Sequence, residues 1–130
     1  MSGEGPEYLP RMMFRGSALP FSGGVRIGDI LYLSGQMGFR EDGTLAEGME
    51  GQARQALDNV GAVLRSAGLG LSDVFHVTVM LADMSQWADF NEVYLEYFDE
   101  PLPTRSAFGA NGLAMGGLVE LECQAYAGPR

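Results

Sequence analysis

The pattern of apolar and polar residues predicts two amphipathic helices. Apolar residues recur every three or four positions across residues 49–67, and Gly68 follows where a left-handed C-cap is expected. A second helix is predicted to begin after Asp83 and to end before Pro101. Its apolar face is rich in aromatic residues, which is typical of a core-facing helix, and consists of Trp87, Phe90, Val93, Tyr94, Tyr97 and Phe98.

The N-terminal part of the chain is predicted to be extended. Residues 1–10 contain closely spaced glycine and proline and are expected to form a loose arm. Residues 11–15 form a first short strand, and residues 16–24 form a loop because one proline and three glycines interrupt them. Residues 25–34 are predicted as a hairpin that turns at a Gly-Asp pair.

Three strands are predicted in the C-terminal half. Residues 73–81 are rich in β-branched residues and apolar in both phases, which indicates a central strand covered on both faces. Residues 104–110 form the next strand, residues 111–117 a glycine-rich loop and residues 118–127 the last strand. The last strand alternates, with apolar residues on one face and Glu120, Glu122 and Gln124 on the other.

This order of elements predicts an α+β chain, formed as a single domain over residues 1–130. One mixed sheet with two helices on one face satisfies the order. The helices can cover only one face of the sheet. One of the two alternating sets of side chains in the strand 73–81 then lies on the uncovered face, and both sets are mostly apolar. Such a face usually finds a partner, so we expect closed association with other copies of the chain.

Composition excludes several classes of function. The net charge of −9 and pI of about 4.4 argue against nucleic acid or an anionic membrane as a partner. All eight basic residues are arginine, so no lysine can form a Schiff base. One cysteine (Cys123) and one histidine (His76) allow neither an intrachain disulfide nor a Cys/His metal site. No long apolar run or basic leader is present, and a cytoplasmic location is expected.

The candidate chemistry lies in the last two strands. Arg105 follows Pro103 in an extended stretch, and an antiparallel pair with residues 118–127 would bring it near Glu120 or Glu122. A guanidinium that binds carboxylates would then lie beside a carboxylate that transfers protons. A structural salt bridge explains the same spacing equally well.

Two further positions leave alternatives open. Gly35 ends the predicted hairpin between Ser34 and Gln36, where a glycine either lets backbone N–H groups approach a ligand or forms a β-bulge. His76 lies within the central strand without a neighbouring nucleophile or second ligand, which favours a packed or interface histidine over a catalytic one.

Four stretches together resemble one family. They are residues 19–22 with residues 25–36, residues 52–60, residues 89–98, and Pro103-Thr-Arg-Ser-Ala with Leu118-Val-Glu-Leu-Glu. In order and spacing they resemble the reactive-intermediate deaminases (RidA, or YjgF-like proteins) over about residues 18–127. The resemblance implies a chorismate-mutase-like α/β fold and a homotrimer with active sites between subunits. It also implies hydrolysis of 2-aminoacrylate-type enamines and imines to 2-keto acids and ammonia, without metal or cofactor.

The resemblance also assigns roles to individual residues. Arg105 matches the arginine that binds the substrate carboxylate with two hydrogen bonds, and Glu120 matches the acid that activates water for attack on the imine carbon. Gly35 matches a glycine whose N–H holds the substrate, and Ser34 matches its neighbour in the pocket. Asn91 matches a pocket asparagine on the second helix.

Two matched positions depart from the family pattern. Phe21 occupies a position that is usually tyrosine and is contributed by the neighbouring subunit, so the hydroxyl is missing here. Ala107 replaces a frequent cysteine whose backbone carbonyl, rather than its thiol, is thought to matter. The glycine-rich stretch of residues 109–117 also differs from typical members, which implies a different range of substrates.

Other classes of function fit the same sequence. A non-catalytic trimer could bind keto or amino acids as a regulator, and exposed apolar surface could support a holdase-like chaperone. A chorismate mutase is less favoured, since its dicarboxylate substrate would require several clustered cations.

Overall fold

The computed structural model describes residues 5–130 and contains two α-helices packed on a sheet. The helices are α1 (Gly48–Ser66) and α2 (Trp87–Tyr97). The strands within the described residues are β1 (Glu7–Tyr8), β2 (Arg11–Phe14), β3 (Ser17–Ser22), β4 (Gly24–Ile27), β5 (Ile30–Leu33), β6 (Gln36–Met37), β7 (Val74–Leu81), β8 (Thr104–Gly109) and β9 (Val119–Tyr126).

The main sheet has seven strands in the order β1-β4-β5-β9-β7-β8, and β6 also pairs with β9. Only β7 and β8 run parallel among the paired strands of the described residues. The connection between them contains α2, and a helical crossover of this length favours parallel pairing. The predicted mixed sheet with two helices on one face is therefore confirmed.

The pairing predicted for the last two strands is wrong. Strand β8 pairs with β7, and β9 pairs with the other edge of β7, so β8 and β9 are not neighbours. The alternation of β9 was recognised correctly, but alternation does not identify the partner strand. The α2 crossover determines it, because the crossover returns the chain to the free edge of β7.

The hydrophobic core lies between the helices and one face of the sheet. Helix α1 contributes Leu57, Val60 and Leu64, each fully buried, and these pack with the buried face of β7 and β9. Burial of each such side chain stabilises the fold by about 1.5–3 kcal/mol. The predicted C-cap of α1 is confirmed, since Gly68 has φ +77° and donates its N–H to the Arg65 carbonyl. Among residues 5–130, neither helix is long and apolar enough to cross a bilayer.

Two predictions for the N-terminal region need correction. The segment predicted as a loop contains β3, which pairs with β2 around a tight turn at Arg15 and Gly16, both with positive φ. Pro20 is tolerated in β3 because this two-stranded sheet has free edges. The expected loose arm is also partly wrong, since Glu7 and Tyr8 pair with β4. Residues 1–4 of that arm lie outside the described residues.

Strand β7 is central, as predicted, but within one chain it is covered on one face only. Val77, Val79 and Leu81 are fully buried beneath the helices. His76, Thr78 and Met80 alternate with them and are half-buried on the opposite face. We call this opposite face the open face of the sheet.

Candidate active site

Arg105 projects from β8 toward the helices and is held against aromatic rings. It lies in register with Val77 of β7, which is buried on the helix face. The carbon at the centre of its guanidinium is 4.8 Å from the centroid of the Tyr94 ring, 5.8 Å from that of Phe90 and 5.9 Å from that of Trp87. Within residues 5–130 no carboxylate forms an ion pair with it. The alternative of a structural salt bridge to Glu120 or Glu122 is therefore wrong.

A recess of about 270 Å³ opens beside this guanidinium. Asn91 and Tyr94 line it, and their Oδ1 and Oη atoms are buried without a hydrogen-bond partner among the described residues. Burial raises the pKa of the Tyr94 hydroxyl, and the positive charge of Arg105 opposes that rise. Apolar side chains, among them Trp87 and Leu102, complete the walls. A guanidinium without a carboxylate partner among residues 5–130, placed in such a recess, is suited to bind a small carboxylate.

Glu120 lies on the open face of the sheet. It is in register with Met80 of β7 on one side and with Met37 of β6 on the other. Burial raises the pKa of the Glu120 carboxyl above its usual value of 4.5, and the negative charge of Glu122 acts in the same direction. A carboxyl with a raised pKa accepts a proton more readily near neutral pH, which suits a general base.

Gly35 makes room for the Glu120 carboxylate. Strands β5 and β6 both pair with β9, Tyr32 with Gln124 and Gln36 with Leu121. Between these two pairs the chain advances four residues on the β5–β6 side but only three on β9. The extra residue is a β-bulge, so one of the alternatives for this segment is confirmed. A β-carbon on Gly35 would lie 3.0 Å from Glu120 Cδ and would overlap its Oε2 atom. The bulge therefore brings the backbone of Gly35 against the acid.

The remaining matched residues lie beside one or the other of these groups. Ala107 is in register with Val79 and shares the helix face with Arg105. Ser34 precedes Gly35, and its hydroxyl donates a hydrogen bond to the Ser22 carbonyl. Phe21 of β3 is 44% exposed and lines the same cavity as Gly35.

The matched residues thus form two separate groups within one chain. We call Asn91, Arg105 and Ala107 the arginine half-site, and Phe21, Ser34, Gly35 and Glu120 the glutamate half-site. Arg105 and Glu120 lie two strands and three residue positions apart, which corresponds to about 14 Å between their α-carbons. Their side chains also point to opposite faces. The prediction that one chain brings Arg105 beside Glu120 is therefore wrong.

The sequence analysis missed the contacts of the α2 aromatic residues with Arg105. The sequence analysis assigned Trp87, Phe90 and Tyr94 to the core. Phe90 and Tyr94 are buried there, whereas Trp87 is exposed. Trp87, Asn91 and Tyr94 are spaced by four and three residues, so they form one stripe on the helix. An asparagine within an aromatic stripe was the available signal that this stripe serves a polar site as well as the core.

The chain is similar to several known proteins in sequence and in fold. A family profile described as Endoribonuclease L-PSP matches residues 15–127. The chain is 38% identical over 112 residues to the bovine (Bos taurus) 2-iminobutanoate/2-iminopropanoate deaminase, covering 85% of this chain and 82% of that protein. RidA from an Antarctic Psychrobacter superposes with a TM-score of 0.82 at 38% identity, covering 87% and 93% of the two chains. E. coli TdcF with bound serine superposes with a TM-score of 0.81 at 31% identity, covering 93% and 94%.

Proposed function

The chain belongs to the reactive-intermediate deaminase (RidA/YjgF) family, and on that premise we propose that it hydrolyses 2-imino acids to 2-keto acids and ammonia. Enamines of the 2-aminoacrylate type enter the same reaction after they tautomerise to imines. The observation that carries the proposal is the pair of complementary half-sites. One holds an arginine without an anionic partner among the described residues, and the other holds a glutamate with a raised pKa.

The chemistry requires positioning and proton transfer rather than a strong nucleophile. The guanidinium of Arg105 holds the substrate carboxylate with paired hydrogen bonds. Glu120 accepts a proton from water as the water oxygen bonds to the imine carbon and the C=N electrons move to nitrogen. That proton then passes to the nitrogen and gives a carbinolamine. The remaining hydroxyl proton moves to the nitrogen as the C–N bond breaks, so that ammonia leaves and the carbonyl forms. E. coli TdcF with bound serine supports a small amino-acid-like ligand for this fold.

The complete site requires two subunits on this proposal. One subunit supplies the arginine half-site and its neighbour supplies the glutamate half-site, because a single chain places them on opposite faces of the sheet. A homotrimer satisfies this arrangement with three equivalent junctions. Tyr32 and Phe108 support it, since they are 39% and 49% exposed on the open face, where another copy would cover them.

Charge argues against RNA as the substrate, although the family profile is described as an endoribonuclease. A net charge of −9 opposes binding to a phosphate backbone, which requires clustered lysine and arginine. We therefore propose small imino acids, rather than RNA, as the substrates.

The direct test is ammonia release from 2-iminopropanoate generated freshly by an amino-acid oxidase. We expect the rate of imine loss to rise in proportion to added protein above the rate of spontaneous hydrolysis. Binding of pyruvate without any acceleration would instead identify a regulatory binding protein. Suppression of client aggregation without acceleration would identify a chaperone.

A further inference from the structure

A large apolar cavity lies between the β2–β3 hairpin and the body of the protein. Its volume is about 570 Å³, within the range of small-molecule pockets. The apolar side chains that line it include Met12, Phe14, Phe21, Met37, Phe39 and Met115. The rings of Phe14 and Phe39 meet edge to face, with centroids 4.9 Å apart.

The two arginines that line the cavity are hydrogen-bonded to backbone carbonyls. The Arg15 guanidinium donates to the Gly43 carbonyl over 2.9 Å, and Arg40 donates to the Leu45 carbonyl over 3.0 Å. Inside, the buried amide of Gln36 turns toward the Ser34 carbonyl and the sulfur of Met12. The cavity therefore offers an apolar ligand a wall of methionine and phenylalanine side chains, with the two arginines held at its rim by backbone carbonyls.

The cavity adjoins the glutamate half-site. Gly35 lines the cavity, and the Glu120 carboxylate packs against the α-carbon of Gly35. Met37 lines the cavity and is the sheet partner of Glu120. An imine carbon placed over Glu120 would hold its carboxylate toward the Arg105 of a neighbouring subunit. In that placement the cavity, which Phe21 and Gly35 line, is the adjoining apolar space for the side chain of the imino acid.

We propose that this cavity is the pocket for the substrate side chain and that the preferred substrates are 2-imino acids with large apolar side chains. This proposal rests on the deaminase function proposed above. The methyl group of 2-iminopropanoate would fill only a small part of the cavity, whereas a branched or aromatic side chain would bury apolar area against it. Methionine side chains adapt to different shapes, so we expect several large apolar side chains to be accepted.

The first test compares imines generated in place from leucine, phenylalanine and alanine by an L-amino-acid oxidase. Each additional buried methylene contributes about 0.8 kcal/mol, or about fourfold in kcat/KM. We expect the leucine-derived imine to exceed the alanine-derived imine by at least about tenfold. Equal values of kcat/KM, or a preference for the alanine-derived imine, would overturn the proposal.

A cavity-filling variant separates this pocket from the catalytic groups. Ala62 lines the cavity from the exposed side of α1, so Ala62→Phe adds a ring there without disturbing the core. We expect it to lower kcat/KM at least about tenfold for the leucine-derived imine and less than about twofold for the alanine-derived imine. Ala88→Phe is the matched control, because Ala88 is exposed on α2 and lines neither this cavity nor the Arg105 recess. An equal effect of Ala62→Phe on both imines would overturn the assignment.

The affinity for keto-acid products tests the pocket even if the protein hydrolyses none of the imines. Isothermal calorimetry with 4-methyl-2-oxopentanoate and pyruvate compares large and small side chains without catalysis. We expect the larger keto acid to bind at least about tenfold more tightly and Ala62→Phe to abolish the difference. Absence of turnover with every imine would reject the proposed function, whereas equal affinity for the two keto acids would reject the pocket.

Discussion

Arg105 and Glu120 project from opposite faces of one sheet, with β7 between the strands that carry them. Each side chain has its own surroundings, aromatic rings for the arginine and the β-bulge at Gly35 for the glutamate. A reaction that uses both must therefore combine two copies of the chain.

This arrangement predicts complementation between two inactive variants. Arg105→Ala and Glu120→Gln should each be inactive alone, because every junction then lacks one group. When they are co-expressed with different tags and purified through both, each mixed trimer should contain one complete site, giving about a third of wild-type activity. Activity that stays at background in the mixed trimers would show that both groups act from the same chain.

Arg105→Lys should abolish most imine hydrolysis and leave stability unchanged. Lysine keeps the charge but loses the planar pair of donors, which costs roughly 2–4 kcal/mol, or about 30- to 1000-fold in rate. Kinetics and thermal unfolding of the same preparation check both statements. Arg26→Lys is the control, since Arg26 lies on the surface beside Asp29. Near wild-type turnover in Arg105→Lys would remove Arg105 from the mechanism.

Tyr94 should act through its ring rather than its hydroxyl. Tyr94→Leu removes the ring whose centroid lies 4.8 Å from the guanidinium, and KM should rise about 5- to 30-fold for a contact of roughly 1–2 kcal/mol. Tyr94→Phe keeps the ring and deletes a buried hydroxyl without a partner among the described residues, so KM should not change and stability should not fall. The same KM in both variants would show that the ring does not position Arg105.

Gly35→Ala should displace the Glu120 carboxylate without unfolding the chain. The new β-carbon would overlap Oε2 of Glu120, and the partly exposed glutamate side chain can rotate away. A displacement of about 1 Å in a catalytic group lowers the rate roughly 10²-fold. Gly70→Ala is the control, because a β-carbon there meets open space. Full activity in Gly35→Ala would contradict the placement of the base.

Glu120→Gln should lower deamination by about 10²–10⁴-fold, since it removes the base but keeps the shape. Wild-type kcat/KM should fall as pH drops through the raised pKa of Glu120, which lies above 4.5, because the protonated acid cannot accept a proton. Glu122→Gln is the matched control on the same strand face and should keep most turnover. A reversed result would move the base to Glu122.

The same pKa has a consequence for stability. Burial makes the ionised form of Glu120 less favourable in the folded chain than in the unfolded chain. This cost is present above the folded pKa and disappears as pH falls below the unfolded value. Glu120→Gln should therefore resist urea better than the wild type at pH 7, and the two curves should converge at acid pH.

Local periodicity was sufficient to predict the helices and the principal strands. Helix α1 and strand β9 follow their apolar repeats closely, and Gly68 ends α1 as its position indicated. Strand β3 was missed because Pro20 and nearby glycines resemble loop signals, while a hairpin with free edges tolerates them.

The geometry of the candidate site could not be predicted from the sequence. Residue type and motif selected Arg105 and Glu120 as candidates, but their separation depends on β7 lying between their strands. No pattern within either strand contains that information, because strand order is set by tertiary contacts. The contact between Tyr94 and Arg105 was missed for a related reason. The same aromatic stripe fills the core and contacts the arginine, and the sequence pattern indicates only the first role.

Trp87 gives the protein an optical reporter of its own. It is the single tryptophan of the chain, is 45% exposed, and has its ring centroid 5.9 Å from the Arg105 guanidinium. Indole emission responds to nearby charge and to water, so a carboxylate that neutralises Arg105 and covers the ring would change its intensity and wavelength. Occupancy of the arginine half-site can thus be followed by intrinsic fluorescence, with no label and no turnover.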